Sequence, residues 1–116
     1  MNKTEICAEF EIEDFDGIVI AGETEYADYE GAAAIVFVND GKLYFQSGSH
    51  CSCFGFEGQW SPEETSVDAL KHIASNGYGI EAKIAGETIK ILETFGMPTD
   101  PDAIAAAVQL YFGSTH

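Results

Sequence analysis

The sequence predicts an α+β fold in which a mostly antiparallel N-terminal β-sheet, over about residues 5–57, packs against two or three C-terminal helices. Three observations carry this prediction. Period-two alternation and short apolar runs fill the first half of the chain. The strongest turn signal, Asn39-Asp40-Gly41, lies between two of those runs. Helix-type patterning, a capping residue succeeded by apolar positions three and four apart, is read only beyond residue 60. The 116 residues fit one domain, 1–116, and contain no repeat, linker or low-complexity tract.

Each element has its own signal. Over residues 5–14, Ile6, Ala8, Phe10 and Ile12 alternate with Glu5, Cys7, Glu9, Glu11 and Glu13, the pattern of a half-buried strand. Gly17–Ala21 reads as a second strand, and Tyr26–Glu30 as a third strand or a loop. Ala32–Val38 is a continuous apolar run ending in β-branched and aromatic residues, as a central strand requires. With the Asn-Asp-Gly turn and Lys42–Gln46 it makes a β-hairpin over 32–46. Residues 47–56 read as a loop or irregular strand. Ser61-Pro62-Glu63-Glu64 has the form of a capping box, predicting a helix over 62–75 with Val67, Leu70, Ile73 and Ala74 inward and Asn76-Gly77 as its stop. Ile80–Phe95 fits either a helix or a strand and then a helix, and Gly86 weakens the helix. Asp100-Pro101-Asp102 opens a last helix carrying Ile104, Val108, Tyr111 and Phe112, with Gly113 as its stop.

Charge narrows the function. Twenty acidic residues face five lysines and no arginine, a net charge of −15. Direct binding to nucleic-acid phosphate needs a dense cationic surface and is excluded in practice. Chemistry built on a bidentate guanidinium is excluded as well. No apolar run approaches the roughly 20 residues of a membrane span, and no apolar signal core opens the chain, so a cytoplasmic protein is expected. Ten of the acids fall within the first thirty residues against Lys3 alone, whereas residues 31–60 are almost neutral. On the strand reading, Glu9, Glu11 and Glu13 form a row spaced by about 7 Å, twice the rise per strand residue.

Side chains that could do chemistry gather at His50-Cys51-Ser52-Cys53. If this stretch is extended, Cys51 and Cys53 point the same way, and with His50 they form a candidate zinc site that His72 or Cys7 would complete. The usual Cys-x-x-Cys knuckles are missing, and small cysteines also pack well under a tight loop. A strained Cys51–Cys53 disulfide is not expected. A Cys–His nucleophile is weakly supported, because adjacent side chains on a strand face opposite ways. Trp60, Phe54 and Phe56 are expected as core aromatics that staple the sheet to the first helix, the one read over 62–75. Neither an enzyme nor a required cofactor is expected.

The segment Gly48-Ser49-His50-Cys51-Ser52-Cys53-Phe54-Gly55-Phe56-Glu57-Gly58-Gln59-Trp60, with Pro62-Glu63-Glu64-Thr65-Ser66-Val67-Asp68-Ala69-Leu70 after it and Asp40-Gly41-Lys42-Leu43-Tyr44 before it, resembles a family of small, mostly uncharacterised bacteriophage and prophage proteins. The resemblance covers roughly residues 28–72. It implies a phage context, hence the cytoplasm of a host bacterium, and assigns no catalytic residue. Small acidic phage proteins often look like inhibitors of host nucleic-acid-handling machinery, as anti-restriction and anti-CRISPR proteins and other DNA mimics do. A compact polyanion competes for a basic channel through the long-range attraction that recruits DNA. The partner-binding field expected on that basis is Glu9, Glu11, Glu13, Asp14, Asp16, Glu23, Glu25 and Asp28, with Tyr26 and Tyr29 as amphipathic anchors. Two alternatives stand beside it. One is a metal- or thiol-dependent module at His50, Cys51 and Cys53. The other is a structural phage protein that forms a homo-oligomer through Ala103, Ala105, Ala106 and Ala107.

Overall fold

The computed structural model describes residues 1–27, 30–51 and 55–98. Within them the order is α1 (Lys3–Phe10), β1 (Ile18–Ala27), β2 (Glu30–Asn39), β3 (Lys42–Cys51), β4 (Glu63–Thr65), α2 (Val67–Asn76) and α3 (Gly79–Phe95). The strands form one antiparallel sheet in the order β1-β2-β3-β4, and the fold is α+β.

The predicted hairpin is present and longer than its apolar run. Asp40 and Gly41 both take positive φ, 53° and 77°, which is the backbone of a two-residue turn whose twist suits the flanking strands. The turn makes Asn39 and Lys42 a hydrogen-bonded pair. The ladder alternates from there. Odd-numbered residues of β2 bond to β3, and even-numbered ones (Ala34, Ala32, Glu30) bond to Glu23, Glu25 and Ala27 of β1.

β2 is buried on both faces, and each face has its own core. Ala34, Val36 and Val38 join Ile20, Leu43, Leu70, Ile80, Ile84 and Ile91 under α2 and α3, an aliphatic layer. Ala33, Ile35 and Phe37 join Ile6, Phe10 and Phe56, with Phe15, Tyr44 and Trp60 around them, an aromatic layer under α1. Burial on both sides explains why the run from Ala32 to Val38 is continuously apolar and not alternating.

The opening segment is a helix, not the strand expected over 5–14. Asn2 caps it. The Glu5 N–H donates to Asn2 Oδ1 (2.8 Å) and the Asn2 N–H donates to Glu5 Oε1 (3.0 Å), a reciprocal capping box. The apparent alternation contains Ile6 and Phe10, four residues apart. Helical phase puts both in the core and leaves Ala8 outside. Glu11 ends the helix in the left-handed region at φ 53°.

The helix predicted over 62–75 starts later, at Val67, with Ser66 as its cap; Ser66 Oγ accepts from Ala69 N–H (3.1 Å). Ser61 is held elsewhere, its N–H donating to Gln46 Oε1 (2.8 Å), and Glu63–Thr65 pair with β3. Asn76-Gly77 does end α2. Residues 79–95 are one helix, because that phase buries Ile80, Ile84, Ala85, Thr88 and Ile91 together. Thr88 satisfies its hydroxyl within the helix by donating to Ile84 O (2.8 Å). The last helix expected from Asp100, with its alanine face, lies outside the described residues.

Candidate functional site

The strand-spaced row of Glu9, Glu11 and Glu13 is not formed, because Glu9 lies on a helix, and the described carboxylates of the expected contact field are divided among three places. Glu9 sits in the last turn of α1. Glu11, Glu13, Asp14 and Asp16 are exposed along the connection from α1 to β1. Glu23 and Glu25 lie on β1, opposite Ala34 and Ala32, and so on the sheet face covered by α2 and α3. Asp28 and Tyr29 lie outside the described residues.

The connection over residues 11–17 owes its shape to Phe15. Its ring sits 4.8 Å from that of Trp60 and 5.0 Å from that of Phe37, centroid to centroid. Lys3 lies over the outer side of Phe15, 4.9 Å from the centroid, and pairs with Asp14 at 3.5 Å. Phe15 therefore anchors a segment along which Glu11, Glu13 and Asp16 are exposed, and Asp14 is exposed while paired with Lys3. Trp60 also stacks on Phe37 and meets Phe10 edge-on, so it fastens the sheet to α1 and not to the helix expected over 62–75, which packs on the other face.

On the other face Glu23 accepts hydrogen bonds from Lys83 at both Oε atoms (3.0 and 2.8 Å). That interaction raises the Lys83 pKa, and Glu25 and Glu87 add to it. Burial raises the Glu87 carboxyl above its ordinary range while Lys83 opposes the change. Among the described residues, four of the five lysines lie in ion pairs with carboxylates: Lys3–Asp14, Lys42–Glu64, Lys71–Glu93 and Lys83–Glu23.

Tyr26, expected as an exposed anchor, is 55% exposed, but its hydroxyl is committed. It donates to Glu9 Oε2 at 2.6 Å. Partial burial and that bond push its pKa up to about 12. Tyr26, Gly31 and His50 form one row across three strands. Gly31 leaves the space His50 uses, since a Cβ there would collide with the imidazole. The His50 ring packs edge-on to Phe56 (4.5 Å) and 5.6 Å from Tyr26.

The metal alternative is only partly visible. Cys51 ends β3, and Cys53 lies outside the described residues. Among the described residues no three His, Cys, Asp or Glu side chains are grouped to hold an ion. His72 is exposed on α2, on the far side of the sheet from His50, with its ring beside Asn76 Nδ2 (3.2 Å), so it does not complete a site with His50. Cys7, on α1, has its pKa raised, first by burial and then by Asp14.

Sequence reading missed a polar clamp on β3. Gln46, 4% exposed, donates from Nε2 to Ser47 O (2.6 Å) and Gln59 O (3.0 Å), in addition to accepting from Ser61. Gln59 in turn accepts from the Ser49 N–H (3.0 Å) and donates to Ser49 O (2.8 Å), imitating a paired strand. Only the tertiary fold joins residues ten to fifteen apart in this way, and no local motif announces it. Among the described residues no helix is long and apolar enough to cross a membrane. No protein-family model matches the chain, and neither a curated protein nor a solved structure is detectably similar to it.

Proposed function

We propose that this chain is a binding protein, not a catalyst, that presents an anionic surface to a basic surface of another protein. The observation that supports this best is the connection over residues 11–17. Glu11, Glu13, Asp14 and Asp16 stand exposed around Phe15, which is held against Phe37 and Trp60. Charge displayed on an anchored segment loses less conformational entropy on docking than charge on a free tail. The lysines that could attract acids or nucleic acid are mostly occupied by the chain's own carboxylates, and the net charge stays at −15. The phage resemblance over residues 28–72 extends the reading to a host defence or nucleic-acid-processing protein as the partner, inhibited by acidic mimicry.

The test is capture of partners from a host lysate at two salt concentrations, with the wild-type chain and with a variant carrying Glu11→Gln, Glu13→Gln, Asp14→Asn and Asp16→Asn. Capture by the wild type is expected to fall steeply as added salt shortens the Debye length below about 8 Å. The neutralised variant, which changes only exposed side chains, is expected to capture little at either concentration. Equal capture by both chains, or indifference to salt, overturns the reading.

A further inference from the structure

We propose that the outer edge of β1, at Thr24–Tyr26, accepts an extended basic peptide as a fifth strand. This rests on the anionic-binding reading above and names the shape and chemistry of the partner segment. The ladder alternation fixes which backbone groups are available. Glu23, Glu25 and Ala27 bond to β2, so Gly22, Thr24 and Tyr26 turn their N–H and C=O outwards. The Met1 ammonium agrees with that direction by donating to Gly22 O (3.0 Å). No described residue offers a hydrogen bond to the main chain of Thr24 or Tyr26.

The opposite edge shows what a closed edge looks like in this fold. The outward residues of β3 meet β4 at Leu43 and Phe45, the Gln46 amide at Ser47 O, and the Gln59 amide at Ser49 N–H and O. An edge that the described residues leave unpaired is a template for another strand. Charge decides which strand. On the α3 side of the open rungs stand Glu23, Glu25 and Glu87, with Lys83 as the counter-charge. On the α1 side stands Glu9. A second copy adding to this edge would set Glu23 and Glu25 against themselves, which is unfavourable. A segment with lysine or arginine at alternate positions would face these carboxylates while its backbone pairs with Thr24 and Tyr26.

The experiment titrates the full chain with a short alternating lysine–valine peptide and with the same peptide N-methylated at the amides that would face β1. The parent peptide is expected to bind in a salt-sensitive manner and to slow hydrogen exchange at the Thr24 and Tyr26 amides. The N-methylated peptide, with equal charge but two donors fewer, is expected to bind about tenfold more weakly or worse. Thr24→Pro removes one outward N–H and is expected to weaken the parent peptide alone; if this variant misfolds, the N-methylated peptide still decides. Equal binding of both peptides overturns strand addition and leaves the anionic reading standing. Protection confined to other residues, no binding at low salt, or a self-paired dimer in sedimentation also overturns it. Loss of salt-sensitive lysate capture, by contrast, removes the anionic reading itself.

Discussion

Along β3 the outward-facing backbone is met residue by residue, by β4 at Leu43 and Phe45, by Gln46 at Ser47 and by Gln59 at Ser49, whereas along β1 the only described partner is the Met1 ammonium at Gly22. Both edges belong to ten-residue strands flanking the same central strand. The difference lies in the chain that leaves each strand. After β3 it returns with Gln59 and a three-residue strand, which together with Gln46 of β3 itself seal the edge. The edge of β1 instead carries charge at Glu23 and Glu25. Sealing an edge adds stability; charging it selects against neutral and acidic strands.

Substitutions at the two edges should therefore differ in kind. Gln46→Leu should have the largest effect, since the buried Gln46 amide holds Ser47 O, Gln59 O and Ser61 N–H in one clamp. At about 0.5–1.5 kcal/mol for each lost hydrogen bond, thermal unfolding should move down by several degrees. Unchanged stability would mean that water replaces the clamp. Gln59→Ala should cost less, about 0.5–1.5 kcal/mol, because Ser49 is exposed and can be solvated. Hydrogen exchange at the Ser49 amide should speed up to the rate of Thr24, making the edges alike; an amide that stays slow would show that Gln59 is not what closes β3.

The smallest effect is at the Tyr26–Glu9 bond. The folded pKa of about 12 lies above the ordinary value of 10, so the neutral phenol is the form favoured by folding. Its contribution is complete below pH 10 and is lost as pH rises through about 12. Tyr26→Phe should be slightly less stable at neutral pH and lose less stability between these two values. Alkaline unfolding curves that run parallel for both chains would show that the bond contributes nothing.

How much of the fold could be read from the sequence depends on how local each signal is. The β2–β3 hairpin was legible because Asn39-Asp40-Gly41 and the apolar run specify it within fifteen residues. α1 was not, because Ile6, Ala8, Phe10 and Ile12 satisfy a strand pattern while Ile6 and Phe10 also satisfy a helical one. The deciding residue, Asn2, stands outside the pattern. Ser61 and Ser66 both make plausible caps, and the tertiary bond from Gln46 chooses between them. The acids could be counted from the sequence but not placed. Glu9 and Glu25 belong to opposite faces of the sheet, and that division depends on register.

Because Glu30–Asn39 feeds aliphatic side chains to one layer and ring-packing side chains to the other, a slip of one residue would exchange the two sets wholesale, sending Ile35 and Phe37 towards the helices and Val36 and Val38 among the aromatic rings. In a half-exposed strand water opposes such an error, because the slip would carry apolar side chains into solvent. This one has no wet side, so the fit of rings on one face and aliphatic side chains on the other is what holds the pairing in place.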